Sequence, residues 1–329
     1  MNLALAKLEL GTVEELGSVL STLLGERHLE LPLPGRGFTR ERFDRLLEFS
    51  AVDLSLGRLV EGHTDAHAIL AEADHERFEG KLYGVWAAEP PGSGVAASRA
   101  TNGFRLCGLK RFCSGARTLD RALVTANSAD GALLFDVDVR AIGVRPLPGT
   151  WPAVGMANSD SLDVHFDLEV PGDAQLGSPR FYVERPGFWQ GSVGVAACWL
   201  GGAVGCARML KARFSGREPD DHVAAHLGAI IADVSAMRAV FERAANEIDA
   251  AGESDPDGFR RALTVRQVVE QGCQRVLTAT GRASGTGPLV FDAQHARRAA
   301  DLAVYLRQHH AEHDAATLAR ASLESDEWP

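Results

Sequence analysis

Four histidines gather toward the C-terminal end of this 329-residue chain: His295, His309, His310 and His313. On a continuous helix His309 and His313 share one face at i, i+4, the spacing of two metal ligands. No third ligand follows at a clear spacing, and the His-Glu-x-x-His pattern is absent. An exposed polar helix end is the commoner explanation, and no metal is expected. A second group lies near the middle, in Leu109-Lys110-Arg111-Phe112-Cys113-Ser114-Gly115-Ala116, where an aromatic ring and a hydroxyl stand two positions apart. Taken alone, that string is a buried strand Phe followed by a turn Ser. A third group, Gly281 to Gly287 (GRASGTG), has the glycines of a phosphate-binding turn. It follows a helical pattern rather than a strand, so a Rossmann fingerprint fails in its own context. A plain interhelix loop accounts for it equally well. The five cysteines (Cys107, Cys113, Cys198, Cys206, Cys273) are odd in number and contain no Cys-x-x-Cys pair. They predict neither a disulfide framework nor a zinc site, and they suit a reducing cytoplasm.

The elements that must position these groups separate by periodicity into three zones. Residues 1–80 read as an N-terminal helical domain: Phe43, Leu46 and Leu47 follow helical spacing, and Leu56, Leu59 and Val60 repeat it. From 81 to 186 the pattern turns strand-like, in KLYGVWAA, FRLCG, RALVTA, GALLFDV and LDVHFDLEV, with Gly, Pro, Asn and Asp between. This predicts a middle antiparallel β-barrel domain. From 187 to 329 four long helical patterns joined by short loops predict a C-terminal four-helix bundle, the second helix capped by Asp220 or Asp221. The fold class is therefore α+β. Composition limits the partners. A net charge of −10 argues against a nucleic-acid backbone. Val193 to Cys206 is nearly all small or apolar, yet it is rich in Gly and Ala and stands alone, so a buried bundle helix is expected there rather than a membrane span. The opening MNLALAKLELGTVEELG has early acidic residues and no long apolar core, unlike a signal peptide.

Three strings, Leu109 to Ala116, Val154-Gly155-Met156 through Ser159-Asp160-Ser161, and TGRASGTGPLVFDAQHARRAADL, occur in an order and spacing that resemble the acyl-CoA dehydrogenase family over roughly residues 80 to 320. The resemblance implies bound FAD. Phe112 would pack on the isoalloxazine ring, Ser114 would hydrogen-bond near N5, and Cys113 would lie between them along the flavin. Trp86, heading Trp86-Ala87-Ala88-Glu89-Pro90, looks like the family's other flavin-edge loop. Arg213 matches the arginine that reaches the pyrophosphate, commonly from a neighbouring subunit, and Ser284, Gly285 and Gly287 match the glycine turn that meets FAD across a dimer interface.

The family's catalytic Glu has no counterpart. Counting on from Asp301, its position falls at His309, and the alternative position near Gln190 to Ser192 holds no carboxylate either. A neutral imidazole is a possible base there. The resemblance thus implies an FAD-dependent oxidoreductase acting on an acyl thioester, presented by CoA or a carrier protein, with His309 as candidate base, in a homodimer or homotetramer. Two alternatives stay open: a reduced-flavin monooxygenase on the same fold, which needs no α-proton base, and a non-catalytic relative.

Overall fold

The computed structural model describes residues 10–252 and 254–323. The first nine residues of the opening segment, and so most of the expectation placed on it, lie outside the described residues.

Three helices come first: α1 (Val13–Gly25), α2 (Thr39–Val52) and α3 (Leu54–Glu72). A capping box starts α1, with Thr12 Oγ1 accepting from the Glu15 N–H at 3.1 Å and Glu15 reaching back to the Thr12 N–H at 3.0 Å. Asp53 ends α2 and caps α3 through the Leu56 N–H at 3.0 Å, which breaks what would otherwise be one long helix.

Eight strands follow: β1 (Tyr83–Trp86), β2 (Gly94–Ala100), β3 (Gly103–Cys113), β4 (Arg121–Ser128), β5 (Gly131–Asp138), β6 (Val144–Leu147), β7 (Leu162–Pro171) and β8 (Gln175–Leu176). They form one sheet in the order β6-β7-β3-β2-β4-β5-β8, with β1 on β4. This corrects the expected antiparallel barrel in two respects. The sheet is open, because its outer strands β6 and β8 are only four and two residues long and do not pair with each other. It is also mixed, since β4 pairs in parallel with both β1 and β2.

The helical remainder is α4 (Phe181–Glu184), α5 (Phe188–Ala212), α6 (Asp221–Ala251), α7 (Gly258–Ser284), α8 (Gly287–Phe291), α9 (Ala293–Tyr305) and α10 (Ala311–Leu323). The expected fourth bundle helix is in fact α9 and α10, separated by a 3-10 turn at Leu306–Gln308 and an extended His309. Asp220 caps α6, accepting from the Val223 N–H at 2.9 Å.

Helix α5 carries the apolar run and is buried along most of its length. Its small residues let α2 approach closely: a Cβ on Gly201 would stand 2.4 Å from the Leu47 carbonyl oxygen. Among the described residues two helices, α5 and α6, are long and apolar enough to cross a membrane. In contrast to α5, the apolar window of α6 is mostly exposed, and Ile231 on α6 and Val290 and Phe291 on α8 face outward.

Candidate functional site

Between the sheet, α3, α5, α7 and α10 lies a cavity of about 960 Å³. Its sheet-side wall is made where β3 ends. Lys110 pairs with Val164 and Cys113 with Leu162, so Arg111 and Phe112 together oppose the single residue Asp163. That extra residue is a bulge, and it turns Phe112 out of the sheet. Phe112 takes φ +58°, uncommon and strained for a residue with a Cβ, and the residue is 49 % exposed on the cavity wall. The Trp151 ring meets it edge to face, with centroids 6.2 Å apart.

Beyond Phe112 runs a short ladder of hydroxyls. Ser114 Oγ lies 2.9 Å from Ser161 Oγ, which lies 2.8 Å from Ser159 Oγ, and all three residues line the cavity. The loop that brings Trp151, Ser159 and Ser161 here is held from behind. The buried Asp301 carboxylate accepts the Met156 N–H at 2.5 Å, and Asp160, also buried, takes Arg117 Nε at 3.1 Å and Nη2 at 2.7 Å. Burial pushes the Asp301 carboxyl up to about 6, against the opposing pull of the Met156 N–H. Further back, Lys110 is fully buried, donating to Glu89 Oε1 at 2.7 Å and to Thr125 O and Oγ1 at 2.8 and 2.7 Å.

The inner end, on α3 and the segment before α5, carries matched charges. Arg58 pairs with Glu61, and Arg185 lies 3.4 Å from Asp65 and 3.0 Å from Glu72. Burial raises the Glu61 carboxyl, partly offset by Arg58. Gly191 permits this packing, since a Cβ there would meet Asp65 Oδ1 at 2.7 Å.

The remaining wall is mostly helical: Trp189, Ser192 and Val195 of α5, Phe259, Leu263 and Arg266 of α7, His310 just before α10, and His313 and Thr317 on α10. Trp189 and Phe259 stack edge to face at 4.8 Å. His310 and His313 have highly exposed side chains, and both approach Asp314, at 3.6 and 3.4 Å.

The structure thus brings together only part of the expected residue set. Phe112 and Ser114 line the cavity side by side. Trp86 and Cys113 are buried behind that wall, where Trp86 Nε1 donates to the Ser114 carbonyl at 3.0 Å. Burial holds the Cys113 thiol far above its ordinary range, so it is unreactive. Arg213, just past α5, and Ser284, Gly285 and Gly287, between α7 and α8, do not line the cavity of the single chain.

His309 stands apart from the cavity wall. It does not line the cavity: its side chain is buried, with Nε2 2.8 Å from Gln267 Oε1 and the ring 6.2 Å from Trp199. Its Nδ1 sits 3.1 Å from Asp314 Oδ2 but out of hydrogen-bonding alignment. Burial, and then the nearby Arg266, push the imidazole below its ordinary range, so it is neutral. The paired-ligand geometry with His313 is also absent, because the helix is broken between them. Among the described residues no cluster of His, Cys, Asp and Glu could hold a metal ion.

Sequence reasoning passed over Trp151, Trp189, Arg266 and the buried charges of α3. The Ser159–Ser161 string was visible only as part of a motif, with no role attached to its hydroxyls.

No family model matches the chain, and no curated protein matches it in sequence. Solved structures do. The dibenzothiophene monooxygenase TdsC from Paenibacillus sp. A11-2, determined with FMN and indole, is 18 % identical over 96 % of this chain and 97 % of its own, with a TM-score of 0.77. The methanesulfinate monooxygenase MsuC from Pseudomonas fluorescens is 17 % identical over 96 % and 97 %, with a TM-score of 0.76. A nitrososynthase from Micromonospora carbonacea var. africana is 18 % identical over 97 % and 96 %, with a TM-score of 0.74. The chain has the fold of the acyl-CoA dehydrogenase-like flavoproteins.

Proposed function

We propose that the chain is a flavin-dependent oxidoreductase that works as a reduced-flavin monooxygenase, with FMN as its flavin. The observation that carries this reading is the wall formed by Phe112, Trp151 and the Ser114–Ser161–Ser159 hydroxyls, faced by His310 and His313. An outward-turned aromatic with a hydroxyl beside it fits a flat heteroaromatic ring with polar edges, and about 960 Å³ leaves room for a substrate as well. The similar structures, among them an FMN complex and two monooxygenases, favour FMN over the FAD of the family resemblance.

When bound, the flavin supplies the redox chemistry. Phe112 and Trp151 hold its ring, and Ser114 offers a hydrogen bond at its edge. His310 and His313 have ring nitrogens at the mouth that can deliver or accept a proton. Trp189, Phe259 and Leu263 exclude water from the reacting atoms. A homo-oligomer is part of the proposal, because the exposed apolar faces of α6 and α8 would be covered by another copy.

One observation favours the dehydrogenase as a second reading. Glu61 is a buried carboxylate on the cavity with a raised affinity for its proton, and a desolvated carboxylate is what α-proton removal from an acyl thioester requires.

The test is oxygen uptake by purified protein given FMN, NADH and a flavin reductase. Saturable FMN binding with oxygen turnover, reduced about 10²-fold by His310→Asn or His313→Asn, supports the proposal. Anaerobic bleaching of the flavin by an acyl-CoA supports the dehydrogenase instead. Protein that takes up neither FMN nor FAD sinks both.

A further inference from the structure

The cavity's arginines are not treated alike. Arg58 is paired with Glu61, Arg185 with Asp65 and Glu72, and Arg307 with Glu270. Arg266 has no carboxylate within 4 Å among the described residues. Instead it donates to two backbone carbonyls, Nη1 to Ser192 at 3.1 Å and Nη2 to Gln308 at 3.0 Å, and lies over the Trp199 ring at 4.6 Å. These three contacts fix the plane of the guanidinium while using two of its five N–H groups. The carboxylate that acts on it most strongly, Asp314, is beyond ion-pair distance and accepts the His310 N–H at 3.2 Å. Burial pushes the Arg266 guanidinium down to about 10, against the more distant pull of Asp314 and Glu61.

A half-buried cation held rigid on a cavity wall, with no carboxylate in ion-pair contact, keeps free N–H groups that an anion can complete. The same helix supplies what such an anion would be attached to. Phe259, Leu263 and Arg266 stand at i, i+4 and i+7 on one face of α7, all on the cavity, with Trp189 across from Phe259. The slot therefore runs from an aromatic end to a cationic end over about 10 Å.

We propose that Arg266 is the specificity residue of this cavity and that the substrate is an amphipathic molecule, an apolar or aromatic body ending in an oxyanion such as a carboxylate. The oxyanion docks on the free N–H groups of Arg266, and the body lies along Leu263 and Phe259. The assignment rests on the monooxygenase reading above, whose substrate it names by class. The flavin phosphate is the other possible source of an oxyanion, so the test separates the two.

Phenylacetate and its neutral isostere phenylacetamide are titrated calorimetrically into FMN-loaded protein. The acid is expected to bind at least about tenfold more tightly than the amide, a difference of about 1.4 kcal/mol. In Arg266→Gln the two are expected to bind equally, and Arg266→Lys is expected to restore part of the preference. FMN and riboflavin affinities are measured in the same variants and should not change. Equal binding of acid and amide by the wild type, a comparison that needs no variant to fold, overturns the proposal. So does a preference that survives in Arg266→Gln. An Arg266→Gln variant that loses only its preference for FMN over riboflavin assigns the anion to the cofactor and overturns the substrate assignment. If FMN binds and oxygen is consumed while the acid shows no preference, this inference fails alone; if no flavin binds, the reading beneath it has failed.

Discussion

On the sheet side of the cavity, the groups that face the ligand space are fixed from behind. Lys110 ties the end of β3 to Glu89 and Thr125, Asp301 grips the Met156 amide, and the Arg117–Asp160 pair closes the loop between them. The helical side differs at its rim. His310 and His313 are 75 % and 77 % exposed, while the chain between α9 and α10 is held by α7 alongside them, through Arg266 on the Gln308 carbonyl, Gln267 against His309 and Glu270 against Arg307. One wall is therefore built to keep a shape, and the other presents protonatable groups at an opening. On the proposed function, the difference divides the work: orientation on the sheet, proton handling and substrate choice on the helices.

The largest effect expected on this contrast is that of Lys110→Met. It leaves Glu89 without its cation and Thr125 without its donor, and should lower stability by about 3–5 kcal/mol. A loss below about 1 kcal/mol in urea denaturation would mean the wall is not anchored there.

The Asp301→Asn variant sharpens the comparison through pH. The folded carboxyl is raised to about 6, above its ordinary value of 3.8. Its contribution to stability is therefore complete below about pH 4 and is lost as the pH rises through about 6. Asn still accepts the Met156 N–H but cannot ionise. The variant should gain on the wild type by about 2–3 kcal/mol between pH 4 and pH 7, and parallel denaturation curves across that window would count against it.

The smallest effect concerns Phe112→Gly. Glycine relieves the positive φ but brings its own entropy cost, so stability should stay level or rise by up to about 1 kcal/mol. Flavin binding, followed by fluorescence, should weaken at the same time. A clear loss of stability would show that the Phe112 ring supports the wall rather than serving the ligand.

How much of this was legible follows from the range of the interactions involved. Strands β1, β3, β4, β5 and β7 were readable because alternation is a local signal, and α5 because apolar length is. Strand β2 was hidden in GVAASRA, whose small residues carry no pattern, and the parallel pairing of β4 is a matter of register that no local string encodes. The Phe112–Ser114 string stood out by motif and both residues line the cavity, although the bulge that exposes Phe112 depends on how β7 aligns with it. That His309 lies off the cavity wall has a specific reason. Leu306-Arg307-Gln308-His309-His310 contains neither Gly nor Pro, so nothing announced a helix break, and the register ran on as though continuous. Arg266 and the α3 charges were missed because a charged residue on a helix looks solvated until the opposing helices are in place.

The glycines of α5 have a consequence for how the cavity can change. Gly201 and Gly205 abut the carbonyls of Leu47 and Ala51, and Gly191 abuts Asp65, so little can be added to this helix without moving a neighbour's backbone or a buried charge. Helices α7 and α10 line the cavity with Phe259, Leu263, Arg266, His313, Asp314 and Thr317, none of them a glycine. Inherited or engineered variation in what this protein accepts is thereby channelled onto one flank, with α5 as the unyielding side of the mould.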